Sequence, residues 1–479
     1  MEATSIIEEG FVSIECILFT AFLFWMYNKR KIGAIELILY SVASSTFIIS
    51  FISNTIAPLF FVTTYFFASE AIALIRGRLL LRLSMLIILF LPFLSSIIIS
   101  LLVLAGFDVF EGSNPPIARV YYDGFFFYGK FFLPLVFLGT RMFKEGQVKS
   151  TEYFFDVVKK VALISCYIGL FQLFLSTATS NSLLLRIFGL RSQYLSYTAN
   201  DVQAGSARIS AFFVEPKTLA SFLVFSFPLF LRDKKLIPIA IVLMVGLLTA
   251  SQTFVIGVII AIVVFYLFRR IKNIRLNIAL VLATILLTVY SISILKQVLF
   301  DFYLAHSDNY VVNLVLSRAI ERYDVQDLNA ADSQVGGLPL QKDSELPVYK
   351  FFEDQPWLYL TGYGIKNGGY IPTRYFVYNV EGSRPLGTLT YNLDMRWFYF
   401  VCEFGLVIFF TWLCYFTRKF NSPIITSFEN KYYAFLIAFL FFNGVELFVI
   451  IIYGFYLGRC YFAMQDNLSP GADTVTQLS

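Results

Sequence analysis

The chain has 479 residues, of which 58% are hydrophobic and only 14% are charged, and its formal net charge is +5. Soluble domains typically carry about 25% charged residues. The composition therefore excludes secreted disulfide scaffolds, nucleic-acid-binding modules and disordered chains, because too much apolar surface would face water. It predicts a membrane protein without nucleic-acid partners.

Twelve apolar runs follow one another along the chain, and a helix needs about 20 mainly apolar residues to cross a ~30 Å hydrocarbon core. The runs lie at 10–27, 32–52, 56–75, 83–106, 124–140, 154–175, 211–231, 236–250, 253–268, 276–298, 393–416 and 432–457. We therefore predict an all-α polytopic membrane protein with about 12 transmembrane helices. Residues 1–298 hold helices 1–10, residues 299–392 form a large loop, and residues 393–479 hold the last two helices and a polar tail.

Every second connector between these runs is basic, which assigns it to the cytoplasmic side. The basic residues are Lys29, Arg30, Lys31, Arg76, Arg78, Arg82, Arg141, Lys144, Lys149, Arg232, Lys234, Lys235, Arg269, Arg270, Lys272, Arg275, Arg418 and Lys419. Both termini and the loop 299–392 then lie outside the cytoplasm. This loop is polar and too long for a simple connection, so we expect it to form a functional cap.

The usual catalytic signatures are absent from the sequence. His306 is its only histidine, which leaves almost no material for metal clusters or histidine-based triads. A Walker motif for nucleotide binding does not occur. The five cysteines are far apart in apolar runs, so we predict buried thiols. We expect neither a metal nor another cofactor.

The most distinctive local motif is the segment 205–222, in which Glu215 and Pro216 precede an apolar run. Proline favours the first position of a helix and pushes the residue before it out of the helix. We therefore predict a helix that starts at Pro216, with Glu215 as its cap. Its N-terminus gathers Arg208, Glu215 and Lys217, which favours a functional site. The alternative is an interfacial cap with basic side chains that reach toward water.

The predicted outer loops are unexpectedly basic, since loops on that side are normally depleted in Arg and Lys. Arginines suit bidentate contacts to phosphate, and the interspersed tyrosines suit stacking on sugar rings. The candidates for binding an anionic substrate are Arg191, Arg208, Lys217, Arg318, Arg322, Arg374, Arg384, Tyr391 and Arg396. In the alternative interpretation, the loop arginines pair with acidic residues of the same loop. Glu36, Glu70, Glu403 and Glu446 lie inside apolar runs, where a carboxylate is either functional or a hydrogen-bonded packing element.

Three motifs in order resemble the O-antigen ligase and polymerase superfamily. The block from Arg208 through Phe213, Glu215 and Pro216 to Ala220 is similar to the family motif that opens a membrane helix. The segment 351–364 is similar to the family's Pro-…-Gly-x-Gly turn in the outer loop. The segment 394–406 is similar to the one that re-enters the membrane.

The sequence also departs from the family pattern. Ligases commonly carry a His at the re-entry segment, where this chain has Tyr391, Asn392 or Asp394. Residues 325–346 form an insertion between the loop motifs. The chain therefore resembles an O-antigen or capsule polymerase more than a ligase.

The resemblance implies a membrane-embedded glycosyltransferase of the C type (GT-C), in the bacterial inner membrane with its large loop in the periplasm. Its substrates would be undecaprenyl-diphosphate-linked glycans, and its partners membrane lipids and a chain-length regulator protein. Arg208, Lys217, Arg318 and Arg322 would stabilise the departing diphosphate. Glu215 or Asp394 would act as the base, without a metal. The alternatives are an O-antigen ligase, or a flippase or transporter that uses the intramembrane glutamates.

Overall fold

The computed structural model describes a set of packed helices and part of the predicted outer loop. The described residues are 2–47, 49–51, 54–75, 93–116, 151–178, 209–213, 215–267, 296–309, 345–365, 367–376, 396–419 and 426–443, with isolated residues in 91, 134–139, 276–287, 312, 334–339 and 451–458.

The fold is all-α, as predicted, apart from two short antiparallel hairpins within the described residues. The helices are α1 Glu2–Asn28, α2 Ala34–Ala43, α3 Pro58–Ile75, α4 Phe93–Leu104, α5 Thr151–Ala178, α6 Pro216–Asp233, α7 Leu236–Leu248, α8 Gln252–Ile262, α9 Lys296–Ala305, α10 Glu345–Asp354, α11 Leu358–Thr361, α12 Arg396–Lys419 and α13 Ser427–Asn443. A π-helical turn, Val263–Leu267, continues α8. The strands are β1 Ile49–Phe51 with β2 Asn54–Ile56, and β3 Gln334–Val335 with β4 Leu338–Pro339.

The predicted run 32–52 is not one helix. Helix α2 ends at Ala43, and the chain then turns and enters the β1–β2 hairpin. The physical reason is tertiary: the backbone N–H of Thr46 donates to the carbonyl of Phe212 at 3.0 Å instead of to a preceding turn of helix. The Ser44 hydroxyl donates to the Tyr40 carbonyl at 2.8 Å, which satisfies a helix-terminal acceptor.

Two further boundaries differ from the sequence prediction. Helix α12 covers the run 393–416 but is interrupted at Gly405, whose φ of 77° and ψ of 158° are not helical. Helix α9 crosses the predicted start of the loop at residue 299 and continues to Ala305. The run 124–140 lies almost entirely outside the described residues.

Helix α6 lies at the centre of the bundle, between α5, α7 and α8. Every residue from Leu219 to Phe230 is buried, so this helix is covered on all sides. Apolar positions all around a helix are typical of a helix that is buried all around. Phe225 packs edge-on against Phe439 of α13, with ring centroids 5.3 Å apart, which joins α13 to the same core.

One described helix, within Thr151–Leu175, is long and apolar enough to cross a membrane by length and composition, with a mean hydropathy of 1.6. Several other apolar helices have 10–17 residues. Large apolar side chains are exposed on these helices, including Leu18 on α1, Phe174 on α5 and Leu236 on α7. Together these features indicate association with a membrane.

Candidate functional site

The N-terminus of α6 has the conformation that the sequence predicts. Pro216 occupies the first helical turn, and Glu215 is the N-cap residue, with extended backbone (φ −140°, ψ 150°). The helix ends at Asp233, two residues beyond the predicted Leu231. Its 18 residues correspond to roughly 27 Å at 1.5 Å per residue. Glu215 and Lys217 are half-buried, so both side chains reach the surface of the bundle.

The segment that leads into this helix, residues 209–213, is fixed by a buried glutamine. Gln172, on α5 and 4% exposed, accepts hydrogen bonds from two consecutive backbone N–H groups, those of Ser210 at 3.0 Å and Ala211 at 2.8 Å. Ala211 has a φ of 51°, in the left-handed region that residues other than glycine rarely adopt. The glutamine therefore satisfies two donors at a strained turn.

Two other parts of the chain hold the same segment. The Ile209 N–H donates to the carbonyl of Leu248, at the end of α7. Phe212 accepts from the Thr46 N–H, and its ring lies 5.0 Å from that of Phe47. Residues 209–213 thus form a mainly buried segment shortly before Glu215. Contacts with the α2–β1 turn, α5 and α7 hold this segment in place.

A second hydrophobic core lies under the predicted outer loop. Helices α10 and α11 and the 3₁₀ turns 367–370 and 373–375 form a compact unit, which we call the cap (residues 345–376). Phe351, Tyr363 and Tyr370 pack there with Phe110 from the segment after α4. The cap is therefore folded onto the bundle and has its own apolar interior.

The cap joins the bundle where α12 is interrupted. The N–H groups of Tyr363 and Gly364 donate to the carbonyls of Cys402 and Glu403 at 2.8 and 3.1 Å. A Cβ atom on Gly405 would lie 2.3 Å from the Leu360 carbonyl oxygen, so only glycine fits this approach. The segments 351–364 and 394–406, both singled out by the resemblance, thus contact each other directly.

Two serines of α4 complete this junction. The Ser95 hydroxyl lies 2.6 Å from the Thr361 carbonyl and 2.7 Å from the Glu403 carbonyl, so one proton serves two acceptors. Ser96 accepts from the Ile365 N–H at 3.0 Å. The junction is buried, and the carboxylate-bearing residue Glu403 is only 1% exposed within it.

Arg374 is the one predicted cap arginine whose side chain the structure describes, and it is paired. Its guanidinium lies 2.5 Å from a carboxylate oxygen of Glu111 and 3.9 Å from one of Asp354, and it donates to the Tyr375 hydroxyl. Burial raises the pKa of Tyr375, and its hydrogen bond to Asp354 adds to the rise, so the phenol stays protonated. Arg374 thus has the acidic partners of the alternative interpretation, although Glu111 belongs to the preceding outer segment.

The remaining predicted site residues are not placed by the structure. The backbone of Arg396 begins α12, but its side chain lies outside the described residues. The others outside the described residues are Arg191, Arg208, Arg318, Arg322, Arg384, Tyr391 and Asp394. Of the proposed constellation, Glu215 and Lys217 are, besides Arg374, the members whose side chains the structure describes.

Sequence reasoning missed three residues that hold these segments together: Gln172 at the turn before Glu215, and Ser95 and Gly405 at the junction of the cap with α12. Gln172 carried a signal, because it is an uncharged polar residue inside the apolar run 154–175. Of the four carboxylates in apolar runs, Glu36 accepts from the Gly33 N–H and from the Tyr153 hydroxyl. That carboxylate is a packing and capping element.

Within the described residues, no group of three or more His, Cys, Asp or Glu side chains could hold a metal ion. Cys16, Cys166 and Cys402 are buried thiols as predicted, whereas Cys414 is exposed. No protein-family model matches the sequence, and no curated protein or solved structure matches it significantly.

Proposed function

We propose that the chain is a multi-pass glycosyltransferase of the GT-C type in the bacterial inner membrane. It would polymerise undecaprenyl-diphosphate-linked oligosaccharide repeats into O-antigen or a capsule-like polysaccharide at the periplasmic face. The observation that carries the proposal is the N-terminal end of α6 at Glu215 and Lys217, which we call the mouth of α6. There, Glu215 and Lys217 reach the surface at the N-terminus of a helix that is buried from Leu219 to Phe230.

This arrangement suits a diphosphate leaving group. The N-terminus of a helix carries a partial positive charge, which favours anions. Lys217 adds a full positive charge, and Arg208 lies one residue before the fixed segment 209–213. In this proposal Glu215 would accept a proton from a sugar hydroxyl, and Asp394 is the other candidate base. Arg318 and Arg322 would complete the cationic site.

The surface of the bundle supports a lipid environment. Leu18 is 64% exposed, Phe174 65% and Leu236 80%, on three different helices. Apolar residues exposed on several helices are expected where lipid replaces water as the solvent. A lipid-linked substrate could then approach the mouth of α6 from within the bilayer. The full count of 12 transmembrane helices belongs to this proposal.

Deletion of the gene, followed by electrophoresis of lipopolysaccharide, tests the proposed function. We expect lipid A-core capped by one repeat. Absence of capping with accumulated lipid-linked polymer would instead assign a ligase. Accumulation of single lipid-linked repeats inside the cell would assign a flippase.

Complementation of the deletion strain then tests the site. We expect Glu215→Gln and Arg208→Ala to abolish polymerisation at normal membrane levels of the protein, because they remove the base and a diphosphate contact. Glu353→Gln, at an exposed carboxylate on α10, is the matched control and should restore full polymer. Long chains in both site variants would contradict the assignment.

A further inference from the structure

The strained turn before Glu215 depends on a side chain from another helix. Gln172 stands on α5, close to 40 positions before the turn in the sequence, and its carboxamide oxygen accepts from both the Ser210 and Ala211 N–H groups. Its nitrogen lies 3.5 Å from the Ser210 hydroxyl, at the limit of a hydrogen bond. One side chain therefore engages the turn at three atoms.

Burial of the turn makes these hydrogen bonds important for its conformation. Ser210 and Ala211 are each 1% exposed, so water does not replace the glutamine as a partner for their N–H groups. An unpaired N–H group in such surroundings is costly, and buried donors are almost always satisfied. Without Gln172, the turn gains by moving its two N–H groups toward other acceptors, which relaxes the left-handed conformation of Ala211.

The turn lies only a few residues before the proposed site in the sequence. Ala211 precedes Glu215 by four residues, and Phe213 between them is fully buried against Phe222 of α6. We expect a shift at Ala211 to be passed to Glu215 and Lys217, because the buried Phe213 ring ties the turn to α6 itself. Small displacements of reacting groups reduce rates strongly.

We propose that Gln172 is a positioning residue, which sets the location of Glu215 and Lys217 at the mouth of α6 by clamping the turn at Ser210 and Ala211. This role rests on the proposed function, because it is defined by the polymerisation that Glu215 and Lys217 support. Gln172 itself does not contact the substrate in this scheme.

A labelling experiment measures the position of the mouth without relying on activity. In a chain whose five cysteines are replaced, Lys217→Cys is reacted with a membrane-impermeant maleimide on cells whose outer membrane is permeabilised. We expect Gln172→Leu to change the labelling rate of Lys217→Cys by about threefold or more, because the turn is no longer held by the glutamine. Thr373→Cys, exposed on the cap, should react at an unchanged rate.

Two variants on α5 serve as controls. Gln172→Glu keeps an oxygen acceptor for the two N–H groups and should retain most of the parental labelling rate. Ser165→Ala removes a buried hydroxyl whose described hydrogen bond is to the Val161 carbonyl of its own helix, so both the labelling rate and the polymer should remain parental. If Gln172→Leu fails to reach the membrane, Gln172→Asn tests the same point, because its shorter side chain holds the oxygen away from the turn.

Polymer output is read in parallel from cysteine-containing chains in the deletion strain. We expect Gln172→Leu to lower it by about 10-fold or more at equal membrane levels, while Gln172→Glu restores much of it. Equal labelling of Lys217→Cys in the parent and in Gln172→Leu, or full polymer output from Gln172→Leu, would overturn the role of Gln172. Failure of the unmodified chain to restore any polymer would instead overturn the proposed function, and the labelling rates would still decide whether Gln172 sets the mouth.

Discussion

At the end of the bundle where α6 finishes, charged side chains join the helices. Arg232 makes two hydrogen bonds to Glu152 of α5, at 2.9 and 2.6 Å, and Lys159 pairs with Asp233. At the end where α6 begins, the described joining groups include the buried Gln172 and the backbone N–H groups and carbonyls of residues 209–212. The junction between α4, the cap and α12 is held in the same way, by serine hydroxyls and backbone groups.

The difference concerns how sharply each end specifies its geometry. Partly exposed ion pairs tolerate changes in distance and are weakened by solvent. Buried neutral hydrogen bonds act over a narrow range of distance and angle, and their loss leaves unsatisfied groups. The proposed site lies at the end with the stricter geometry, as expected if it must hold reacting groups in place.

The largest effect is expected from adding a methyl group at Gly405, where the backbone of the cap lies close to α12. Gly405→Ala places a methyl group 2.3 Å from the Leu360 carbonyl at a residue with φ of 77°. We expect a loss of about 3 kcal/mol or more in unfolding free energy, from strain and overlap together. The detergent-solubilised protein is heated, and size-exclusion chromatography of the remaining folded fraction gives the melting temperature of each variant.

Gly106→Ala is the matched control for that substitution. Gly106 also has a positive φ, of 87°, but nothing lies within 4 Å of its Cβ position. Only the backbone strain remains, about 1 kcal/mol. Equal melting temperatures for the two variants would show that the close approach at Gly405 does not matter.

An intermediate effect is expected at Ser95. Ser95→Ala removes the single proton shared by the Thr361 and Glu403 carbonyls and should cost about 2 kcal/mol. Ser100→Ala, on the same helix, removes a hydroxyl that bonds to the Ser96 carbonyl one turn away, and it should cost less than about 0.5 kcal/mol. The same melting assay ranks the pair, and the reverse order would refute the junction as a stabilising contact.

The smallest effect is expected at the charged end. Arg232→Ala removes the pair with Glu152, whose side chain is 58% exposed, and the contacts of the guanidinium with the Phe155 and Phe428 rings. We expect a loss of about 1 kcal/mol at low ionic strength, and a smaller one in high salt as the pair is screened. A loss as large as that of Gly405→Ala would remove the contrast between the charged end of α6 and the buried junction of the cap with α12.

Local rules predict the start of α6 because its cause is local. Proline at the first helical position and the restricted residue before it both act within two positions, so Glu215 and Pro216 could be placed from the sequence. The resemblance likewise singled out the segments 351–364 and 394–406, which the structure joins through Gly362, Tyr363 and Gly364.

The predictions that failed depend on contacts between residues that are far apart in the sequence. Helix α2 ends early because Thr46 bonds to Phe212, more than 160 residues further along the chain. The interruption at Gly405 depends on the approach of the cap backbone, which no pattern around Gly405 reveals. Gln172 is visible in the sequence as a polar residue in an apolar run, but its partners, the N–H groups of Ser210 and Ala211, are not. Arg374 could be identified as a cap residue from the sequence, but not its pairing with Glu111.

The connection between α6 and α7 has a consequence for biogenesis. Only Lys234, in the left-handed conformation with φ of 54°, and Lys235 separate the two helices. Helix α7 has 13 residues, which is short of the about 20 that an independent membrane span requires. In a membrane-inserted chain, we expect α6 and α7 to leave the translocon together as a helical hairpin. The two lysines would remain on the side of synthesis, so a single turn would fix the orientation of the segment that carries Glu215.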